Sequence, residues 1–186
     1  MRVVLNRRTL LKYGTGGAIL LAAGSLSLAL QPTKMVEPLQ ELKCLSKQEY
    51  SILFSIADTI LPENGPFPAA STFQIAHKVD AVLFRSHPGI QTEIKQLLAL
   101  IENAAVATLF DGHIRPFTHA PAKTQFEILE SWRTSRLSIR RTGFKAISGL
   151  CNGAYYALPE SYSLVGYEGP PPHLLAAVHA LREAEK

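Results

Sequence analysis

From residue 46 onward, apolar positions recur at steps of three and four, the spacing that lines one face of a helix, and no stretch alternates with a strand's period of two. Ser46-Lys47-Gln48-Glu49 reads as a capping box: the serine oxygen accepts from the third helical amide and the glutamate reaches back to the cap. Behind it Tyr50, Leu53, Phe54, Ala57, Ile60 and Leu61 form one stripe, and Pro62 halts the helix. Glu63 to Pro68, with two prolines and a glycine, predicts a shaped turn. A second helix is predicted from Ser71, with Gln74 in the capping-box position, to Ser86, burying Phe73, Ala76, Val79 and Leu83 and ended by His87-Pro88-Gly89. A third is predicted from Ile90 to Leu109 with Ile94, Leu97, Leu98, Ile101 and Ala105 inward, closed by the turn Asp111-Gly112-His113. Pro121 opens a fourth that carries Phe126, Leu129 and Trp132. The fifth and longest runs from Ser138 to Leu158 and stops at Pro159; a short last one, Leu174 to Ala184, follows Pro170-Pro171-Pro172. The pattern predicts an all-α fold: an irregular bundle of about six helices over residues 46–186, behind a Pro-containing linker at 31–45 and an N-terminal signal helix at 1–30.

That first segment has its own grammar. Tyr13 to Leu30 is apolar, but Gly14, Gly16, Gly17 and Gly24 dilute it, and four glycines weaken a helix by roughly 1 kcal/mol each against alanine. This suits a transient signal better than a permanent span, which takes about 20 strongly apolar residues. Just before it stands Asn6-Arg7-Arg8-Thr9-Leu10-Leu11-Lys12, which resembles the twin-arginine translocation (Tat) signal, with Arg7, Arg8, Leu10, Leu11 and Lys12 as the targeting residues. The resemblance implies recognition by the Tat translocase and export of an already folded chain across the bacterial inner membrane, to the periplasm or the periplasmic face of that membrane. Ser27-Leu28-Ala29 offers a small-x-small cleavage site; left uncut, the segment would tether the protein to the membrane.

Charge follows the same division. Lys and Arg total 19 and Asp and Glu 15; four of the bases, Arg2, Arg7, Arg8 and Lys12, lie in the acid-free residues 1–30, so the remainder is neutral. The basic pI of about 9.1 belongs to the signal, and binding to nucleic acid through phosphate contacts is a poor reading. With 47% hydrophobic residues in the whole chain, the part behind the signal can bury a core of its own. In an oxidising compartment Cys44 and Cys151 have three readings: one long-range disulfide, a bridge to a partner chain, or buried thiols.

Chemistry is sparse in the sequence. There is no Gly-x-Gly-x-x-Gly, Gly-x-Ser-x-Gly, His-Glu-x-x-His or Cys-x-x-Cys-His, so no catalytic or cofactor-binding residues are assigned to this chain. Asp111, His113 and His119 around one turn are the nearest approach to a metal set, and solvated turn histidines are the blander reading. Arg133, Arg136, Arg140, Arg141 and Lys145 form a basic cluster that reads either as a solvated face or as a surface for an acidic partner. Gly149 and Gly153, four apart on one helical face, favour close packing within the domain's own core.

Tyr155-Tyr156 at a helix end, a Pro-containing connection through Tyr162, and Gly166-Tyr167-Glu168-Gly169-Pro170 resemble the closing motif of the gluconate 2-dehydrogenase subunit 3 family, the small subunits of periplasmic flavin-dependent dehydrogenases. Leu45-Ser46, Glu49 and Ile56-Ala57-Asp58-Thr59-Ile60-Leu61-Pro62 are similar to that family's opening helix, and the resemblance spans about residues 45 to 170. It implies a non-catalytic subunit that stabilises a flavoprotein of the glucose-methanol-choline type and supplies its export signal. FAD is then expected in the large partner subunit and haem c in a multihaem cytochrome as a third subunit. Tyr155, Tyr156, Tyr162, Gly166, Tyr167, Gly169 and Pro170 are the expected partner interface, since tyrosines on a rigid Gly/Pro segment give large contacts at small entropic cost. The competing classes are an independent periplasmic helical binding protein and a metal-dependent enzyme built on the Asp111, His113 and His119 turn.

Overall fold

The capping box forms as the sequence predicts: Ser46 Oγ accepts from the Glu49 amide at 3.2 Å, and Glu49 Oε2 accepts from the Ser46 amide at 2.7 Å. In the computed structural model, which describes residues 33–104, 112, 115–171 and 174, this box opens α1 (Lys47–Ile60). There follow α2 (Ile75–Phe84), α3 (Pro88–Glu102), a 3-10 turn (Phe117–His119), α4 (Ala122–Arg133), α5 (Ser138–Tyr156), the single turn α6 (Pro159–Tyr162) and a second 3-10 turn (Ser163–Val165). Among the described residues there are six α-helices and no strand beyond one isolated bridge, Asn64 to Phe67, and the fold is all-α. No helix among them is long and apolar enough to cross a membrane.

The first helix is the hub. It packs against α2, α3, α4, α5 and the first 3-10 turn, and so buries Tyr50, Ser51, Ile52, Leu53, Ile56 and Ala57, a wider surface than one stripe. The core around it is completed by Leu83, Leu98, Ile101, Phe117, Ile128, Trp132, Ile147, Cys151 and Tyr155. Arg140 turns into this bundle with its guanidinium 5.1 Å from the Trp132 ring and a bond to Ser131 Oγ at 2.9 Å.

Several boundaries depart from the sequence reading. Ser71 does not cap α2: Asp58 Oδ1 takes the Ser71 amide at 2.7 Å, residues 71–74 turn, and Gln74 enters the helix from the left-handed region at φ 53°. Pro88 starts α3 where a stop was predicted, because a proline at the first helical position lacks only an amide that would have no partner there, and His87 Nδ1 caps the Gly89 amide at 3.1 Å. That helix leaves helical geometry at Asn103; the predicted continuation through Ala105 to Leu109 lies outside the described residues, as does nearly all of the segment from Leu174 to Ala184. On α4, Phe126 is 59% exposed, since Ile128, Leu129 and Trp132 take the buried face. Pro159 both ends α5 and begins α6.

The stretch 33–45, read as a linker, is fastened to the domain along its length. Buried Asp80 on α2 accepts the amides of Lys43, Cys44 and Leu45 at 2.7, 3.0 and 2.7 Å. Ser51 Oγ takes the Val36 amide at 2.9 Å, and Thr118 Oγ1 takes the Lys34 amide at 3.0 Å while donating to buried Glu102 at 2.6 Å. Each of these bonds links residues 15 to 84 positions apart, beyond the reach of a local pattern.

Candidate partner interface

Pro62 directs the chain off α1 into a turn that closes on itself: Asn64 and Phe67 exchange both backbone bonds at 3.0 Å, and Gly65 supplies the positive φ of 59° that the reversal requires. Asp58 holds the far side through Ser71, and Leu61 O accepts the Ala70 amide at 2.9 Å. The shaped turn of the sequence reading is thus fixed at both ends. Against it comes the C-terminal end of α5, where the Tyr155 hydroxyl donates to Pro68 O at 2.8 Å across 87 residues. Between them lies a pocket of about 250 Å³ lined by Ile60, Leu61, Pro62, Asn64, Phe67, Pro68, Tyr155 and Tyr156.

The tyrosines divide by role. Tyr155 is buried at 1% exposure, its ring 5.2 Å from Phe73, and burial pushes its phenol above the ordinary range, with Tyr156 adding to the effect. It is a core residue, which corrects its placement in the interface. Tyr156, edge-on to Tyr155 at 5.2 Å, stands 43% exposed at the pocket's rim. Beyond α6 the chain folds back so that Tyr162 and Tyr167 meet edge to face at 5.1 Å. The Tyr167 amide bonds Tyr162 O at 2.9 Å, the Tyr162 hydroxyl reaches Ala157 O at 3.2 Å, and Tyr167 remains 48% exposed. Gly166 at φ 68° makes this turn, and Gly169 at φ 99° lies over the Tyr162 ring, where an added Cβ would sit 3.4 Å from it. Pro170 is half-buried. Among the described tyrosines, Tyr156 and Tyr167 are therefore the two with exposed rings.

Of the other sequence candidates, Arg7, Arg8, Leu10, Leu11, Lys12, Asp111 and His113 lie outside the described residues, and His119 is exposed on the 3-10 turn. Among the described residues no three His, Cys, Asp or Glu side chains stand together as a metal set. Cys44 and Cys151 are free thiols with no bond between them; Cys151 is fully buried, and burial pushes it up to about 12. The basic cluster breaks up: Arg140 is interior, Arg133 pairs with Glu130 at 2.7 Å, and Arg136, Arg141 and Lys145 stay on the surface. The contribution of Phe67, Asn64 and Pro68 was not foreseen; the Pro/Gly turn that carries them was the available signal.

The lining holds no side chain that titrates near neutral pH, its only ionisable groups being two phenols, so what it offers is shape, aromatic surface and backbone carbonyls. Compared with family models, with curated proteins and with solved structures, the chain matches none.

Proposed function

We propose that this chain is the non-catalytic small subunit of a flavin-dependent dehydrogenase of the glucose-methanol-choline type, acting on a sugar, a sugar acid such as gluconate, or another alcohol. It steadies the large subunit, which carries FAD, and its twin-arginine signal takes the folded pair across the inner membrane to the periplasm. A multihaem cytochrome c receives the electrons as a third subunit.

One observation carries this reading. The two segments on which the resemblance rests, Ile60-Leu61-Pro62 and Tyr155-Tyr156, are more than ninety residues apart in the chain and line one pocket. A composite surface with exposed Tyr156 and Tyr167 on a braced backbone suits a protein partner, where buried aromatics dominate binding.

The test is substitution of the two exposed rings in the co-expressed complex. Tyr156→Ala with Tyr167→Ala should leave helix content unchanged and remove about 2 kcal/mol per ring of binding, enough to lose the flavoprotein in a pull-down. Undiminished recovery of flavoprotein would sink the assignment of this surface.

A further inference from the structure

Helix α5 has a second exposed face. Ile139, Thr142, Ala146, Gly149, Gly153 and Tyr156 succeed one another at alternating steps of three and four, the spacing of a seam between two helices, and all six are exposed. Among the described residues, a Cβ added at Gly149 or Gly153 meets nothing within 4 Å, so these exposed glycines leave a bare track of backbone there, contrary to the sequence expectation of core packing. Gly143, on the inner side of the same helix, shows the contrast: its Cβ would lie 2.6 Å from Leu97.

At its N-terminal end the track opens into a mainly apolar groove of about 570 Å³ between α3 and α5, walled by Leu97, Leu100, Ile139, Thr142 and Ala146, with the carboxylate of Glu93 at its α3 side. At its other end Tyr156 borders the pocket described above. From 139 to 156 the face is roughly 26 Å long, about five helical turns. Charge narrows the occupant. The helix carries Arg140, Arg141 and Lys145 and no acid at all. Arg140 is turned inward, while Arg141 and Lys145, one step round from the track, are exposed and join no salt bridge among the described residues.

We propose that this track and groove seat an amphipathic helix of the partner subunit with an acidic flank. Its small side chains cross at Gly149 and Gly153, a large apolar side chain fills the α3/α5 groove, and its carboxylates face Arg141 and Lys145. The inference rests on the accessory-subunit reading for the existence of the partner, and adds which element docks and with what charge. A second copy crossing α5 on α5 would set Arg141 and Lys145 beside their own counterparts, with Glu93 of the groove as the one acid in the lining to offset them.

Gly149→Leu and Gly153→Leu, each made in the full tagged chain co-expressed with the flavoprotein, fill the track without touching this domain's own packing. The isolated variants should melt no lower than the native chain, since leucine is the better helix former, while flavin absorbance per tagged chain falls about tenfold or more. Arg141→Glu with Lys145→Glu should cause a comparable loss, and native recovery should weaken with salt. A Gly149→Leu chain that brings down its full complement of flavin overturns this docking mode and leaves the tyrosine surface standing. Self-association of the native chain, abolished by the same substitution, overturns it in favour of a second copy. A native chain that brings down no flavoprotein removes this proposal together with the reading beneath it.

Discussion

Asp80 joins two parts of the fold that are far apart in the chain. Its carboxylate is 2% exposed and takes three successive amides, Lys43, Cys44 and Leu45, so it ties the N-terminal stretch to α2. Asp80→Ala should cost about 3 kcal/mol or more in urea unfolding, because each bond to a charged acceptor contributes roughly 1.5–3 kcal/mol and the abandoned amides are partly buried; a loss near zero would contradict the role given to it. Glu102 makes a different claim. Burial holds its carboxyl above the ordinary range, against the smaller opposing pulls of Thr118, Thr33 and His119. The native state therefore keeps a proton that the unfolded chain releases near about pH 4.3. The contribution to stability is greatest below that value and declines as pH rises through the higher native one. Glu102→Gln cannot ionise, so its melting temperature relative to the native chain should climb as pH rises above about 4.3. A difference that does not vary with pH would contradict the burial argument.

At the scale of elements, α5 presents a paired experiment. Gly149 is exposed and meets none of the described residues, so Gly149→Ala should stabilise by about 1 kcal/mol through helix propensity. Gly143 lies against Leu97 at 2.6 Å and Trp132 at 3.2 Å, and Gly143→Ala should fall below Gly149→Ala by about 1–3 kcal/mol in thermal or urea unfolding, as crowding offsets the propensity gain. Equal effects would mean that the two faces of α5 are misassigned. This helix also shows where the sequence was legible. Its length, the Ser46 cap of α1 and the Pro-opened α4 follow from local rules, since spacing, caps and prolines act within a few residues. The outward turn of Gly149 and Gly153, the inward turn of Arg140 and the exposure of Phe126 depend on which neighbours arrive from elsewhere, and periodicity alone cannot rank two faces of similar apolarity. Ser71 does not cap because the chain turns through 71–74 before the helix starts at Ile75, with the Ser71 amide held by Asp58, thirteen residues earlier.

Taken whole, the molecule is a helical domain in which two distant segments are brought to one surface by α1 and α5 packed together. Both segments were visible in the sequence as motifs; their meeting was not, because it depends on the Tyr155 bond to Pro68 and on the braced turn at 64–67. The same architecture places Tyr155 in the core and leaves the Tyr156 and Tyr167 rings exposed. The stretch that precedes α1 is fastened from Thr33 onward through Thr118, Ser51 and Asp80. The most direct test of the accessory-subunit account is to tag the chain at its C-terminus, isolate it gently from its native envelope and record the visible spectrum beside a gel. A flavin band with a large companion chain is the expected result; a colourless single chain of about 20.4 kDa would contradict it.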